Sequence, residues 1–584
     1  NFQMEYVEAY DSIIQPIKEP LTKSYIKTST SDPPDTKTAL DYLREQRNNE
    51  NEAIVFMDSD GNRKDVLSFN DWVESSEDLA VSLSKIGLSS GDFIGILAPN
   101  CHELICSLGA AINLAAVPVF LSFNLVSGED LIEHVNECNI KAVIVDISEG
   151  PKKDIVMRVF AKVLRGEIDD DMPALRHVIV ITDDATPDGA ITYNSLSDKK
   201  SVEDKVQIAD LTKTITIDSP LCVTLTSGST GKPKYCLLPH RELLTPVKYI
   251  GQRIGLVKRD RLFLDRPMTW IGGILGIMLP LVLETTTVTV NAKYTAAKSW
   301  AAEKILGIIQ KERLTMAGML PYMMFDILDL DDENFSKFDL STWKITGTGG
   351  QRVDPKMVED FKLRTRTNIS IVYGATEANT VTCMFPKGDF TKQHLTVGYP
   401  IPNIEISIQA PDGSIPAVNT PGEICIRGYP VFLGYLNNEA ATSEVIDNEG
   451  WCHTGDIGTM TPYGYITIAG RLKEFIKRGT VIVQPSTIEK EIANHPDVHQ
   501  VQVVGVPDPR LHEELCACII THTGRELTGN DMKVWCASIF GDITADGLSN
   551  APRYFIIMDE FPLTTSGKID RVVLKAEAKK HLNL

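Results

Sequence analysis

Short apolar runs alternate with helical patterns over most of the chain, which restricts it to an α/β class with helices layered on largely parallel sheets. Residues 92–99 (DFIGILAP) form a strand-like run stopped by Pro-Asn, residues 103–114 have helical character, and residues 117–121 are strand-like again. Residues 141–146 (KAVIVD), 178–181 and 221–225 continue the series. With 584 residues, 43% of them hydrophobic and 23% charged, the chain is long enough for two or more packed units. Its longest apolar run, residues 270–283 (WIGGILGIMLPLVL), is shorter than the ~20 residues of a membrane span and holds three glycines and a proline, so it is expected in the core.

A formal net charge of -20 opposes non-specific attraction to nucleic acid or to an anionic membrane surface. It still allows a local positive pocket, and hence an anionic substrate. The eleven cysteines contain no C-x-x-C pair, and the closest two, Cys516 and Cys518, fall in an apolar, strand-like run. A reducing compartment is therefore expected, without a disulfide framework or zinc site. The N-terminal NFQMEYVEAYDS has no basic region leading into an apolar stretch, so no secretory signal is expected.

Residues 226–234, TSGSTGKPK, combine two hydroxyl pairs, two glycines and two lysines. Glycines let backbone N–H groups turn toward an anion, hydroxyls add donors and lysines add compact positive charge, so the segment is suited to phosphate. It is not the familiar G-x-x-x-x-G-K-S/T loop, because Thr226 stands five before Gly231 and Pro233 follows Lys232. The proline also disfavours a helix running on through Lys232. A strand near residues 235–238 and a helix from His240 are expected instead.

Three further clusters follow: YGATEA at residues 373–378 after an apolar run, WCHTGDI at 451–457 leading to TPYGYITIAGRLKEFIK at 461–477, and PLTTSGKIDR at 562–571. Taken singly, each reads as a turn or a solvated charge. Their joint order does not. TSGSTGKPK, YGATE, GEICIRG, HTGDIG, GRLKEFIK and PLTTSGKIDR together resemble the adenylate-forming superfamily of acyl- and aryl-CoA synthetases, luciferases and peptide-synthetase adenylation domains. The likeness runs from Gly91 to Arg571 and points most toward medium-chain fatty acyl-CoA synthetases and 4-coumarate-CoA-ligase-like enzymes.

The resemblance implies a large N-terminal domain of layered sheets and helices over residues 1–470 and a small mobile α+β C-terminal domain over residues 471–584. It implies an AMP-forming acid-thiol ligase that uses ATP, Mg2+ and coenzyme A. A carboxylate attacks the α-phosphorus, pyrophosphate leaves, and a thiol then takes the acyl group from the adenylate. ATP would be held by Thr226, Ser227, Gly228, Ser229, Thr230, Gly231, Lys232 and Lys234, by Gly350, Gln351 and Arg352 along the adenine, and by Tyr373, Gly374 and Ala375. Thr376 would touch the α-phosphate, and Glu377 would bind magnesium, a hard cation suited to carboxylate oxygen. Asp456 would accept from the ribose hydroxyls, Arg471 would assist beside it, and Lys568 would orient the carboxylate against the α-phosphate. Lys473 would be the hinge, and Lys477, Gly479 and Thr480 would serve the CoA step.

Departures from the family pattern fall at Tyr235, where a glycine is usual and a side chain is expected close to the triphosphate approach, and at Thr480, Thr487 and His512. A β-branched Thr480 would strain a loop that needs positive φ, while Thr487 and His512 read as structural. By the same resemblance Trp270, Gly272, Gly273 and Gly347 line the acyl pocket, with glycines leaving room for a medium-chain or aryl acid. Transfer to a carrier protein or other acceptor, and a non-catalytic binding homologue, stand as alternatives. Expected partners are a carboxylic acid, ATP and CoA, with no nucleic acid and no membrane span. Homo-oligomerisation is left open. The expected location is intracellular, in the cytoplasm or an organelle such as the peroxisome or mitochondrion, and not secreted.

Overall fold

The structure is a computed structural model that describes residues 17–584 except 18, 122–126, 149–151, 183–189, 227–232, 291–301, 351–352, 354, 386–394, 479–480, 510, 541–549 and 565–567. The chain divides into two compact units: residues 27–405 with 426–452, and residues 17–26 and 406–425 with 453–584.

The first unit is built on two sheets. An eight-stranded sheet runs in the order Gly434–Tyr435, Lys234–Pro239, Pro220–Thr226, Val117–Phe120, Phe93–Leu97, Ile140–Asp146, His177–Ile181 and Ile191–Thr192. Its last six strands are parallel, and the first two join antiparallel at one edge. Strand Ile140–Asp146 shows why these runs are apolar throughout. Val143 and Val145 enter one core cluster and Ala142 and Ile144 another, because helices cover both faces. The nine-stranded sheet likewise has a parallel centre, including Arg261–Leu264, Met316–Met319, Ile345–Gly349 and Asn368–Ala375.

The apolar run at 270–283 forms helix Ile271–Leu283, most of it buried. No helix among the described residues is long and apolar enough to cross a membrane. Helix His240–Ile254 begins as expected after Pro233 and ends at Gly255, whose φ of 76° is the left-handed turn that glycine accepts. At its start, His240 Nδ1 accepts the Ala39 N–H at 3.0 Å, and burial pushes the imidazole down from 6.5 to about 4. The folded protein keeps this ring neutral while the unfolded chain protonates it below pH 6.5. Its stability contribution is therefore complete above pH 6.5 and is lost as pH falls toward about 4, by roughly 1.4 kcal/mol per unit. A His240→Asn variant, whose amide oxygen accepts the same N–H without protonating, is expected to show a shallower fall in urea stability across that window. An unchanged slope would assign the acid sensitivity elsewhere.

In the second unit, strands Cys452–Met460 and Ile466–Arg471 pair antiparallel at the end of a five-stranded sheet. A separate sheet contains Ile476–Arg478, Val481–Val483, Val498–Asp508, His512–Thr521 and Tyr554–Ile557. Alternation divides its side chains between two cores. Leu515, Ala517 and Ile519 pack with Ile488, Ile492 and Met532, whereas Cys516 and Cys518 pack with Leu574 and Ala578. All eleven cysteines are free thiols, and these two fill a core.

Candidate active site

Strand Pro220–Thr226 delivers Thr226 to the carboxyl end of a parallel sheet, and Lys234 opens the antiparallel return strand directly opposite it. Crevices at such strand ends are where open α/β sheets place ligands. Ser227, Gly228, Ser229, Thr230, Gly231 and Lys232 lie outside the described residues between these two anchors. Strand Ile345–Gly349 similarly ends at Gly350, with φ 77°, while Gln351 and Arg352 lie outside the described residues.

YGATE is the tip of a β-hairpin. Strand Asn368–Ala375 pairs with Asn379–Cys383, and Ala375 opposite Asn379 leaves Thr376, Glu377 and Ala378 as the turn. Gly374 is required by a close approach, since a Cβ there would stand 1.7 Å from the Asn379 carbonyl oxygen. Tyr373 is buried in the strand below.

Residues 432–436 join this tip to the phosphate-loop strand. Leu433 N–H donates to the Leu237 carbonyl at 3.0 Å, Leu436 N–H to the Tyr235 carbonyl at 2.8 Å, and Phe432 N–H to the Glu377 carbonyl at 3.1 Å. The Tyr435 hydroxyl donates to Glu377 Oε1 at 2.6 Å, and Lys234 Nζ lies 4.5 Å from the centre of the Tyr435 ring. Desolvation, reinforced by the Glu377 charge, holds the phenol well above its ordinary range, so the proton stays on tyrosine. Glu242, fully buried on the helix after the strand, is also pushed well above the carboxylate range by desolvation.

Tyr235, whose side chain was expected close to the triphosphate approach, is buried. Strand alternation turns it away from Lys234 and Cys236 into the core with Val119 and Val223, and its hydroxyl lies 2.7 Å from His134 Nδ1. Glycines in the expected acyl pocket are also closely occupied. A Cβ on Gly272 would meet the Trp270 ring at 2.6 Å, one on Gly273 the Pro267 carbonyl at 1.8 Å, and one on Gly347 the Met316 methyl at 2.8 Å. Their missing side chains make room for protein atoms, with Trp270 folded back over the first turn of its helix.

The second unit holds a different group of site residues. Asp456 and Arg471 are directly opposite each other on paired strands, with Arg471 Nε 3.1 Å from Asp456 Oδ1. Asp456 is buried, whereas 61% of the Arg471 side chain is exposed. A frame behind Asp456 sets its loop: Glu423 accepts from Gly455 N–H at 2.9 Å and pairs with His453 at 2.8 Å, and Thr454 Oγ1 accepts the Asp456 N–H at 3.1 Å. Lys473 occupies the 3-10 turn Leu472–Glu474. Lys477 N–H donates to Glu513 at 2.9 Å, and Gly479 and Thr480 lie outside the described residues after Arg478. His512 adopts φ 69°, the left-handed region where a non-glycine residue costs about 1 kcal/mol. Thr487 hydrogen-bonds the Gln484 carbonyl at 2.8 Å, a local turn contact. Lys568 is held by a bridge between Leu563 and Ile569.

The AMP-binding enzyme family pattern matches residues 43–436, and the AMP-binding enzyme C-terminal domain matches residues 487–568. The chain belongs to the AMP-binding enzyme family. Among its relatives, the mitochondrial medium-chain acyl-CoA ligase ACSF2 of Danio rerio is 30% identical, covering 97% of this chain and 92% of the relative. The Homo sapiens ACSF2 is 30% identical over 96% of this chain and 91% of the relative. The fold is that of the ATP-bound crystal structure of MatB from Rhodopseudomonas palustris, with a TM-score of 0.77 and 20% identity over 94% of this chain and 100% of MatB.

Within this AMP-binding fold, the family motifs lead to Thr226, Thr376, Glu377, Asp456 and Lys568; they contain Glu423 and His453 without giving either a role, and they pass over Tyr435. The sequence signal for all three was present in GYL, GEI and CHTGD. What it lacked was the pairing that brings each against a motif residue.

Proposed function

We propose that this protein is an ATP-dependent acid:CoA ligase that forms acyl-AMP with release of pyrophosphate and then acyl-CoA with release of AMP. The observation that carries the reading is the meeting of Lys234 and Glu377 at one tyrosine, the lysine on an antiparallel edge strand of one largely parallel sheet and the carboxylate at a hairpin tip of the other. A lysine and a carboxylate brought together there suit a polyphosphate and its cation. The ACSF2 relatives support a medium-chain fatty acid as substrate.

Thr226 and Lys234 bind the departing β- and γ-phosphates together with the rest of the loop through Lys232. Thr376 contacts the α-phosphate, and Asp456 accepts the ribose hydroxyls. Glu377 fits magnesium: it offers hard carboxylate oxygen, and the neutral Tyr435 hydroxyl orients one of its two oxygens without cancelling its charge. Magnesium bound there supplies positive charge against the triphosphate. Lys568 aligns the acid with the α-phosphorus, after which residues 471–584 turn about Lys473 and bring Lys477 and the following loop to the CoA step. Trp270 gives the acid an apolar wall. The reaction takes place inside the cell, in an organelle or the cytoplasm.

Pyrophosphate release with ATP and magnesium tests the reading across acetate, fatty acids of graded length and cinnamic-type acids, with and without CoA and with mass detection of products. Release with a medium-chain acid and an acyl-CoA product is expected. Release without an acyl-CoA would direct the acyl group to another acceptor, and silence across the panel would refute the ligase reading.

A further inference from the structure

Lys234 and Glu377 stand on different sheets, so neither sheet's own hydrogen bonding fixes the distance between them. Tyr435 touches both. Its backbone position opposite Cys236 ties it to the lysine's strand, while its hydroxyl reaches the carboxylate of the hairpin tip at 2.6 Å. The ring is 6% exposed and packs edge-on against Phe432, with centroids 5.0 Å apart, which restricts its swing. A phenol is suited to this position because its π face attracts an ammonium while its hydroxyl donates to a carboxylate.

We propose that Tyr435 is a positioning residue that sets the spacing between the lysine of the phosphate loop and the magnesium-binding carboxylate. Lysine and carboxylate then meet the metal–triphosphate complex as one preformed unit. The inference rests on the ligase reading of the site and adds a residue to it.

The two ends of the side chain can be removed separately. Tyr435→Phe keeps the ring under Lys234 and deletes only the hydroxyl, whereas Tyr435→Leu removes both contacts. The full-length proteins are compared by calorimetry with α,β-methylene-ATP over a magnesium series without acid substrate, alongside their melting temperatures. For Tyr435→Phe, the magnesium concentration at half-maximal nucleotide binding is expected to rise about tenfold, the scale for losing an outer partner of a metal ligand. Its nucleotide affinity at saturating magnesium should stay near that of the unsubstituted chain. Tyr435→Leu should show the same metal shift and lose a further several-fold in affinity at saturating magnesium, as the lysine loses its aromatic support.

Loss of packing alone would lower nucleotide affinity equally with and without magnesium, and that result would overturn the proposal. So would an unchanged magnesium response in Tyr435→Phe, which differs from the natural chain by one oxygen atom and carries the test if the leucine variant does not fold. Absence of magnesium-dependent nucleotide binding by the unsubstituted chain would remove the ligase reading itself.

Discussion

Lys568→Ala is expected to slow acyl-adenylate formation by about 10²–10³-fold, the scale for removing one donor aimed at charge developing in a transition state. Thioester formation from a supplied acyl-adenylate should be nearly unaffected. Local structure makes this substitution informative. Thr564 N–H donates to the Lys568 carbonyl at 2.6 Å and Lys568 N–H donates to Thr564 Oγ1 at 3.2 Å, while Asp570 caps helix Arg571–His581. These bonds use the backbone of residue 568 and survive the loss of its side chain. Pyrophosphate release with ATP measures the first half-reaction, and acyl-CoA formation from synthetic adenylate measures the second. Equal loss in both would sink the idea that Lys568 serves only adenylation and that the C-terminal region changes position between steps.

The layers of the fold were legible in the sequence because parallel strands covered on both faces must be apolar throughout. Residues 141–146 were read as a strand from KAVIVD, and the structure has Ile140–Asp146 there. Pro233 excluded a helix through Lys232, the strand-like run at 235–238 placed the helix start near His240, and length with glycine content pointed to burial of residues 270–283. Contacts between segments distant in the chain were not. Tyr235 looked like an obstruction because a position within a motif carries no information about which face of the strand it occupies; pairing with residues 223–226 decided that it enters the core. Glycines 272, 273 and 347 looked like open space for the same reason, since the atoms that fill them come from Trp270, Pro267 and Met316. Tyr435 is the converse case. It lies 58 residues beyond Glu377 in sequence, so only the folded chain shows them hydrogen-bonded.

Glu514→Ala should produce the largest loss of stability, about 3–5 kcal/mol, because it leaves a buried guanidinium without its counter-charge. Arg478 and Glu514 side chains are 0% and 1% exposed, with Arg478 Nε 2.6 Å from Oε1 and Nη2 donating to Oε2 at 2.9 Å. Glu514 Oε1 also accepts the Leu515 N–H at 2.8 Å, so the carboxylate fixes both ion pair and strand. Arg478 ends strand Ile476–Arg478, just before the loop assigned to the CoA step, and is paired with the strained His512. Urea unfolding followed by hydrogen exchange in strands Ile476–Arg478 and His512–Thr521 would place the loss in this sheet. The double variant Arg478→Met with Glu514→Leu separates two reasons for keeping such a pair. Full recovery of stability together with a slowed CoA step would mean that the ions hold the loop in one conformation at no net gain in stability. Continued instability would mean that their geometry offsets the cost of burial, and that the sheet depends on the pair to fold.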